Sequence, residues 1–231
     1  MLQLLDKKKK LFFYLFLFIL LSTQINKNSN NQNFSILKIN KIEILGLSKE
    51  NNLKILKSLD SILFKNIFFI NKNNISEIIE KNTLIETYQI KKFYPNILKI
   101  NIEETNFLAI TNQENKKFYI GSNGKLISFE NVKNFKKKLP FVFSKDGHKG
   151  FVNLKKIIDK SKFEFDEIDS FYYFPSNRWN IKTKDGLLIK LPEKDFLESL
   201  NLAYLIKSNP EFKNNKIIDL RMSKYIITLD E

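Results

Sequence analysis

At 231 residues, with 43% hydrophobic side chains and 22 phenylalanines, the chain has enough apolar surface for one large or two small domains, which excludes disorder over most of its length. It has no cysteine, so a disulfide framework, a zinc knuckle and a thiol nucleophile are all excluded. The formal charge of +14 would suit nucleic acid, but only Arg178 and Arg221 of the 39 basic residues are arginine, and base readout favours the arginine fork over the lysine point charge.

The first feature along the chain is a block of four positive charges, Lys7, Lys8, Lys9 and Lys10, followed by an apolar run over residues 11–21. That run includes Leu11, Phe12, Phe13, Leu17, Phe18 and Leu21 and predicts a single transmembrane helix over 11–25, with 1–10 as a cytoplasmic tail and 26–35 as an Asn-rich linker. The run is short, since a spanning helix needs about 20 apolar residues and runs of about 10–14 also form signal-peptide cores. Nothing after Leu21 has Ala-x-Ala spacing, so an uncleaved anchor is favoured over cleavage. The lysine block keeps the N-terminus cytoplasmic by the positive-inside bias, and everything after Ile25 is then exported.

Residues 36–105 read as one domain in the order strand, helix, helix, strand, strand. Ile42 and Ile44 flank an outward Glu43 as in a strand that Gly46 ends, and Ser48 can cap a helix with Leu53, Leu56, Leu59 and Leu63 on one face. After the apolar connector Asn66-Ile67-Phe68-Phe69-Ile70, Asn74 and Glu77 have the spacing of a capping box, opening a helix with Ile75, Ile78 and Ile79 as its stripe. Residues 88–105 form a hairpin: Leu98, Ile100 and Ile102 alternate with Lys99, Asn101 and Glu103, and Tyr94-Pro95-Asn96 supplies the turn.

Residues 106–231 read as a second domain of short strands. Strands are predicted over 118–120 and 126–128 around the turn Gly121-Ser122-Asn123-Gly124, then over 141–144, 168–174, 179–183, 187–191, 217–221 and 225–229. Leu154, Ile157 and Ile158 suggest a short helix, and 193–207 a better one with Phe196 or Leu197, Leu200 and Tyr204 on one face.

The hairpin wording, Ile90-x-Lys92-x-Tyr94-Pro95-Asn96-Ile97-Leu98-x-Ile100-x-Ile102-x-Glu104, resembles the polypeptide-transport-associated (POTRA) domain of the bacterial cell-division protein family FtsQ/DivIB. Lys92 and Tyr94 stand where that family usually has Arg and Trp, and the Pro of its Pro-x-Ala motif is missing before Ala109. The second half is similar to the FtsQ-type β domain through Asn123-Gly124-Lys125-Leu126-Ile127, Leu139-Pro140, Arg178-Trp179, Asp185-Gly186 and Asp219-Leu220-Arg221. Met222 stands where the family often has an aromatic. The implied fold class is α+β: one N-terminal transmembrane helix, a POTRA domain (β-α-α-β-β) and a C-terminal mixed β domain with short helices.

An active site would need convergent titratable groups. His148, the one histidine, sits in a Lys-Asp-Gly-His-Lys-Gly stretch that reads as a solvated loop. Glu103-Glu104 and Asp166-Glu167 are adjacent pairs, which on a strand point to opposite faces. No catalytic, cofactor or metal residue is nominated, and no small-molecule substrate, so a non-enzyme is expected.

The sequence points instead to binding through a sheet edge. Tyr225, Ile226, Ile227, Thr228 and Leu229 form a β-rich strand followed only by Asp230 and Glu231, where another protein can add a strand. The resemblance implies this use, with the FtsB–FtsL pair docking on the last strand and other division proteins meeting the POTRA domain. Arg178 and Arg221 fall in the family's Arg-Trp and Asp-Leu-Arg motifs, where a planar fork can meet a carboxylate; an internal ion pair and an ordinary edge strand fit the same residues. The expectation is a single-pass inner-membrane scaffold of the division septum, with periplasmic domains and no nucleic-acid role. The alternative is a cleaved, exported POTRA-type binding or chaperone module.

Overall fold

The structure is a computed structural model and describes residues 7–22, 35–132, 135–144, 148–222 and 225–229. The lysine block and the apolar run join in one helix, α1 (Lys7–Ser22), whose apolar side chains, from Leu11 to Leu21, are all exposed. At 1.5 Å per residue its 16 residues reach about 24 Å, short of the roughly 30 Å of a hydrocarbon core. Against the predicted transmembrane helix over 11–25, no helix among the described residues is long and apolar enough to cross a membrane; Thr23, Gln24 and Ile25, its expected last turn, lie outside the described residues.

The next unit contains β1 (Lys41–Leu45), α2 (Lys49–Ser58), α3 (Lys72–Glu80), β2 (Ile85–Phe93) and β3 (Ile97–Glu104), in the predicted order. The sheet order is β1-β3-β2, with β1 parallel and β2 antiparallel to β3. Ser48 caps α2 by accepting from the Asn51 N–H, as its position suggested. Asn51 and Ile55 face the core together with three of the predicted leucines, since Leu59 is fully buried and Leu56 and Leu63 pack against that core, while Leu53 is exposed. The helix stops after ten residues and a 3-10 turn over Asp60–Ile62 redirects the chain, so a four-residue row decides which face is buried. Helix α3 begins before the expected capping box, because Asn71 accepts from the Asn73 N–H.

Gly46 ends β1 with φ +120°, and a Cβ there would lie 1.8 Å from the Ile102 carbonyl oxygen. Only a glycine allows β1 to leave the sheet this close to β3.

The C-terminal unit is a nine-stranded sheet in the order β12-β11-β10-β9-β8-β7-β4-β5-β6. Its strands are β4 (Phe107–Gln113), β5 (Lys116–Gly121), β6 (Leu126–Ser128), β7 (Phe141–Phe143), β8 (Ile168–Phe174), β9 (Arg178–Thr183), β10 (Leu188–Lys190), β11 (Ile217–Met222) and β12 (Tyr225–Leu229). Helix α4 (His148–Ile158) joins the parallel pair β7 and β8, and α5 (Phe196–Ser208) joins the parallel pair β10 and β11. Both helices cover one face: Phe151, Leu154 and Ile158 of α4 and Leu200, Ala203 and Ile206 of α5 share a core with Val142, Phe171, Trp179, Ile181, Ile189, Ile218 and Leu220. Helix α5 begins at Phe196 rather than Glu193 because Asp195 has left-handed backbone geometry, φ 61°. His148 opens α4 instead of sitting in a loop.

The two units are not separated by a linker, since β3 ends at Glu104 and β4 begins at Phe107. The core of the three-stranded unit continues into the C-terminal unit through Tyr119 and Ile127, with Phe107, Phe129 and Phe135 packed against it. Tyr119 stacks on Phe129 at 4.0 Å and on Phe107 at 4.9 Å between ring centres. Polar contacts cross the same junction. Glu86 accepts from the hydroxyls of Thr105 and Ser122, each at 2.7 Å, and the Asn123 amide donates to the carbonyls of Thr83 at 3.0 Å and Ile85 at 2.8 Å.

Candidate partner-docking edge

Strand β12 pairs antiparallel with β11 and closes the sheet on that side; among the described residues it has no second neighbour. An edge strand of this kind leaves alternate N–H and C=O groups without a ladder partner. Ile227 and Leu229 are exposed and Thr228 is half-buried, while the side chains of Tyr225 and Ile226 are outside those described. The register breaks between Asp219 and Met222, so β11 bulges beside the edge.

Register also locates the two arginines. Asn180, Lys190, Asp219 and Ile227 form one cross-strand row through β9, β10, β11 and β12. Arg178 precedes Asn180 by two residues on the antiparallel β9, and Arg221 follows Asp219 by two on β11. Both therefore lie on the same face at the same end of the sheet, two strand spacings or about 10 Å apart. This face is the one opposite α4 and α5.

The Arg221 guanidinium is engaged within the chain. Nε donates to Asp219 Oδ1 at 2.8 Å and Nη2 to Oδ2 at 2.5 Å, and the Arg221 backbone N–H adds a third bond to Oδ1. Lys190 Nζ lies 3.9 Å from the same carboxylate. These hydrogen bonds from Arg221 outweigh burial and hold the Asp219 carboxyl below its ordinary value. Arg178 is tied less firmly, by one bond from Nε to the Ser176 hydroxyl at 3.0 Å. The corner thus combines Arg221 and Lys190 around one buried carboxylate, with Arg178 about 10 Å away on the same face.

Sequence reasoning missed the open face itself. A groove of about 410 Å³ runs across it, lined by Tyr172, Phe174, Asn180, Lys182, Leu188 and Ile217 among others. Alternation along β8 and β10 carried the signal: Tyr172, Phe174 and Leu188 occupy the face opposite the buried Phe171 and Ile189. Strand β4 was also missed, because its buried positions are Ala109 and Thr111 rather than large apolar residues. Among the described residues no group of three or more His, Cys, Asp or Glu could hold a metal ion.

Comparison with known proteins decides the family. The model of the FtsQ-type POTRA domain matches residues 37–105, and that of the C-terminal domain of the cell division protein FtsQ/DivIB matches 109–221. The chain belongs to the FtsQ/DivIB family of cell-division proteins. It is 28% identical over 196 residues to the cell division protein FtsQ of Rickettsia bellii, covering 82% of this chain and 72% of that one. The cell division protein DivIB of Clostridium tetani is 30% identical over 156 residues, 61% of this chain and 58% of its own. The major extracytoplasmic domain of DivIB from Geobacillus stearothermophilus aligns at 15% identity and a TM-score of 0.34, over 48% of this chain and 92% of that one.

Proposed function

We propose that this FtsQ/DivIB member is a membrane-attached, non-catalytic scaffold of the division complex, which recruits and links other division proteins for septum formation. The observation that carries the reading is β12, a strand paired on one side only beside an arginine corner. A partner strand laid along its free side would continue the ladder, and an acidic partner side chain would meet Arg178, Lys190 and the outward part of Arg221. The FtsB–FtsL pair is the proposed occupant of this edge, and the POTRA unit the proposed contact for other division proteins.

The domain boundaries proposed are 36–105 for the POTRA unit and 106–231 for the β domain. Attachment is assigned to α1, whose apolar side chains are exposed on every side, with the N-terminal lysines cytoplasmic and the domains periplasmic. Its 16 residues also fit the alternative of a cleaved, exported binding module. Alkaline extraction of cell membranes separates the two: the scaffold stays in the membrane pellet at full mass. Recovery in the soluble fraction at a mass lacking the first twenty-odd residues would refute the anchor. Pull-down of FtsB and FtsL by the full chain, lost in Ile227→Pro, is the expected result for the edge.

A further inference from the structure

The tip of the POTRA unit exposes aromatic side chains that its own core does not use. Phe64 and Phe69 are 71% and 87% exposed, and Phe68 and Tyr94, stacked at 4.7 Å, are also mainly exposed. Phe93 and Ile36 are exposed at the same end. The backbone brings them together: Phe64 donates to the Ile39 carbonyl, Ile67 to the Leu37 carbonyl, and Asn40 to the Asn96 carbonyl in the hairpin turn. The loop over 64–70, the β2–β3 turn and the segment leading into β1 therefore share one end of the sheet. Soluble surfaces rarely leave so many large apolar groups contiguous. Phe64 also has φ 63°, a geometry a bulky side chain seldom adopts, and the strain serves no buried contact of its ring.

Two observations identify what covers the tip. The chain enters the POTRA unit here, at the 3-10 turn Ser35–Leu37, and only residues 23–34 separate that turn from the end of α1. Even fully extended, that distance is about 45 Å at most, so this end of the domain is tethered nearest to α1. Lys38 and Lys65, bound to the tip through the Lys38–Asn66 bridge and the bond from Ile39 N–H to the Lys65 carbonyl, add exposed positive charge beside the rings. Aromatic rings interleaved with lysine match the interface of a bilayer with anionic headgroups, where rings sit at headgroup level and ammonium groups meet phosphate.

We propose that the aromatic tip rests in the membrane interface, so that the POTRA unit is held at the bilayer by a second contact besides α1. This rests on the membrane attachment of α1 proposed above. Contact at both places would hold the POTRA unit to the bilayer and, through the continuous core at the junction, fix the direction in which the β domain presents its free edge.

The natural absence of cysteine permits a clean test on the full chain. Single variants Lys65→Cys at the tip, Leu17→Cys in α1 and Lys116→Cys at the start of β5 are spin-labelled and reconstituted in vesicles of phosphatidylethanolamine and phosphatidylglycerol. Their accessibility to oxygen, which partitions into lipid, and to a water-soluble nickel chelate is then measured. The expected result is a severalfold higher oxygen-to-nickel ratio at positions 65 and 17 than at 116. Adding Phe64→Ser and Phe69→Ser should return position 65 to the value at 116 while circular dichroism and melting stay unchanged. Position 17 in lipid with 65 in water would overturn the tip contact alone, whereas both in water would overturn it together with the anchor. Protection of position 65 from both reagents would mean a protein contact and would also overturn the proposal.

Discussion

Arg221 grips Asp219 on its own strand with two side-chain hydrogen bonds, at 2.8 and 2.5 Å. Residues two apart on a strand share a face, and the Asp219 side chain is only 10% exposed, so the fork neutralises a nearly buried carboxylate beside the edge strand. The guanidinium thereby has a structural task as well as a place at the proposed docking corner, since the pair uses two of its five N–H donors.

Arg221→Ala should therefore destabilise the β domain before any partner is added. The carboxylate would keep only the backbone N–H of residue 221 and Lys190 at 3.9 Å, and the expected loss is about 1–3 kcal/mol, read as a lower denaturation midpoint. Arg178→Ala, which breaks only one bond to Ser176, should leave stability within about 0.5 kcal/mol of the parent while weakening partner capture.

The same pair sets an acid limit. The folded-state pKa of Asp219 is depressed, chiefly by its hydrogen bond from Arg221, so its contribution is present above the ordinary aspartate value, about 3.9. It is lost as pH falls through the lower folded-state value. Melting temperature against pH should show an acid decline that is shallower in Asp219→Asn, the difference confined to below about pH 4. An equal slope in both chains would mean that the fork does not hold the ionised form.

Gly46→Ala should prevent stable folding of the POTRA unit, costing about 3 kcal/mol or more. Its Cβ would have to occupy space 1.8 Å from the Ile102 oxygen at φ +120°. Loss of protease resistance over residues 37–105 is the measurement.

At the junction, Asn123→Ala removes the two bonds to Thr83 and Ile85 and leaves both carbonyls short of a donor. A cost of about 1–3 kcal/mol is expected, together with a broadened distance distribution between spin labels on the two units. Unchanged distances would assign the junction to the aromatic stack of Tyr119, Phe107 and Phe129 and the Glu86 hydrogen bonds instead.

How much of this was legible in the sequence depended on whether a signal was local. The hairpin, the Ser48 cap and most strands of the β domain were readable, because alternation and turn chemistry are short-range. The exposure of Leu53 and the start of α3 were misread, since the end of a ten-residue helix and one Asn side chain decide them. The junction was invisible because its partners, such as Glu86 and Ser122, lie 36 residues apart and contain nothing unusual in isolation. At the candidate site the edge strand and both arginines were legible from pattern and motif. Their common face was not, because it depends on register across β10.

Addition of a partner strand to β12, as proposed, would shield the amides of its free side, and amide hydrogen exchange of the full chain with and without FtsB–FtsL reads that shielding residue by residue. The expected result is new protection confined to residues 225–229 and the adjoining end of β11, absent in Ile227→Pro. Protection that appears in the POTRA unit or over α4 and α5 while β12 exchanges as before would contradict it.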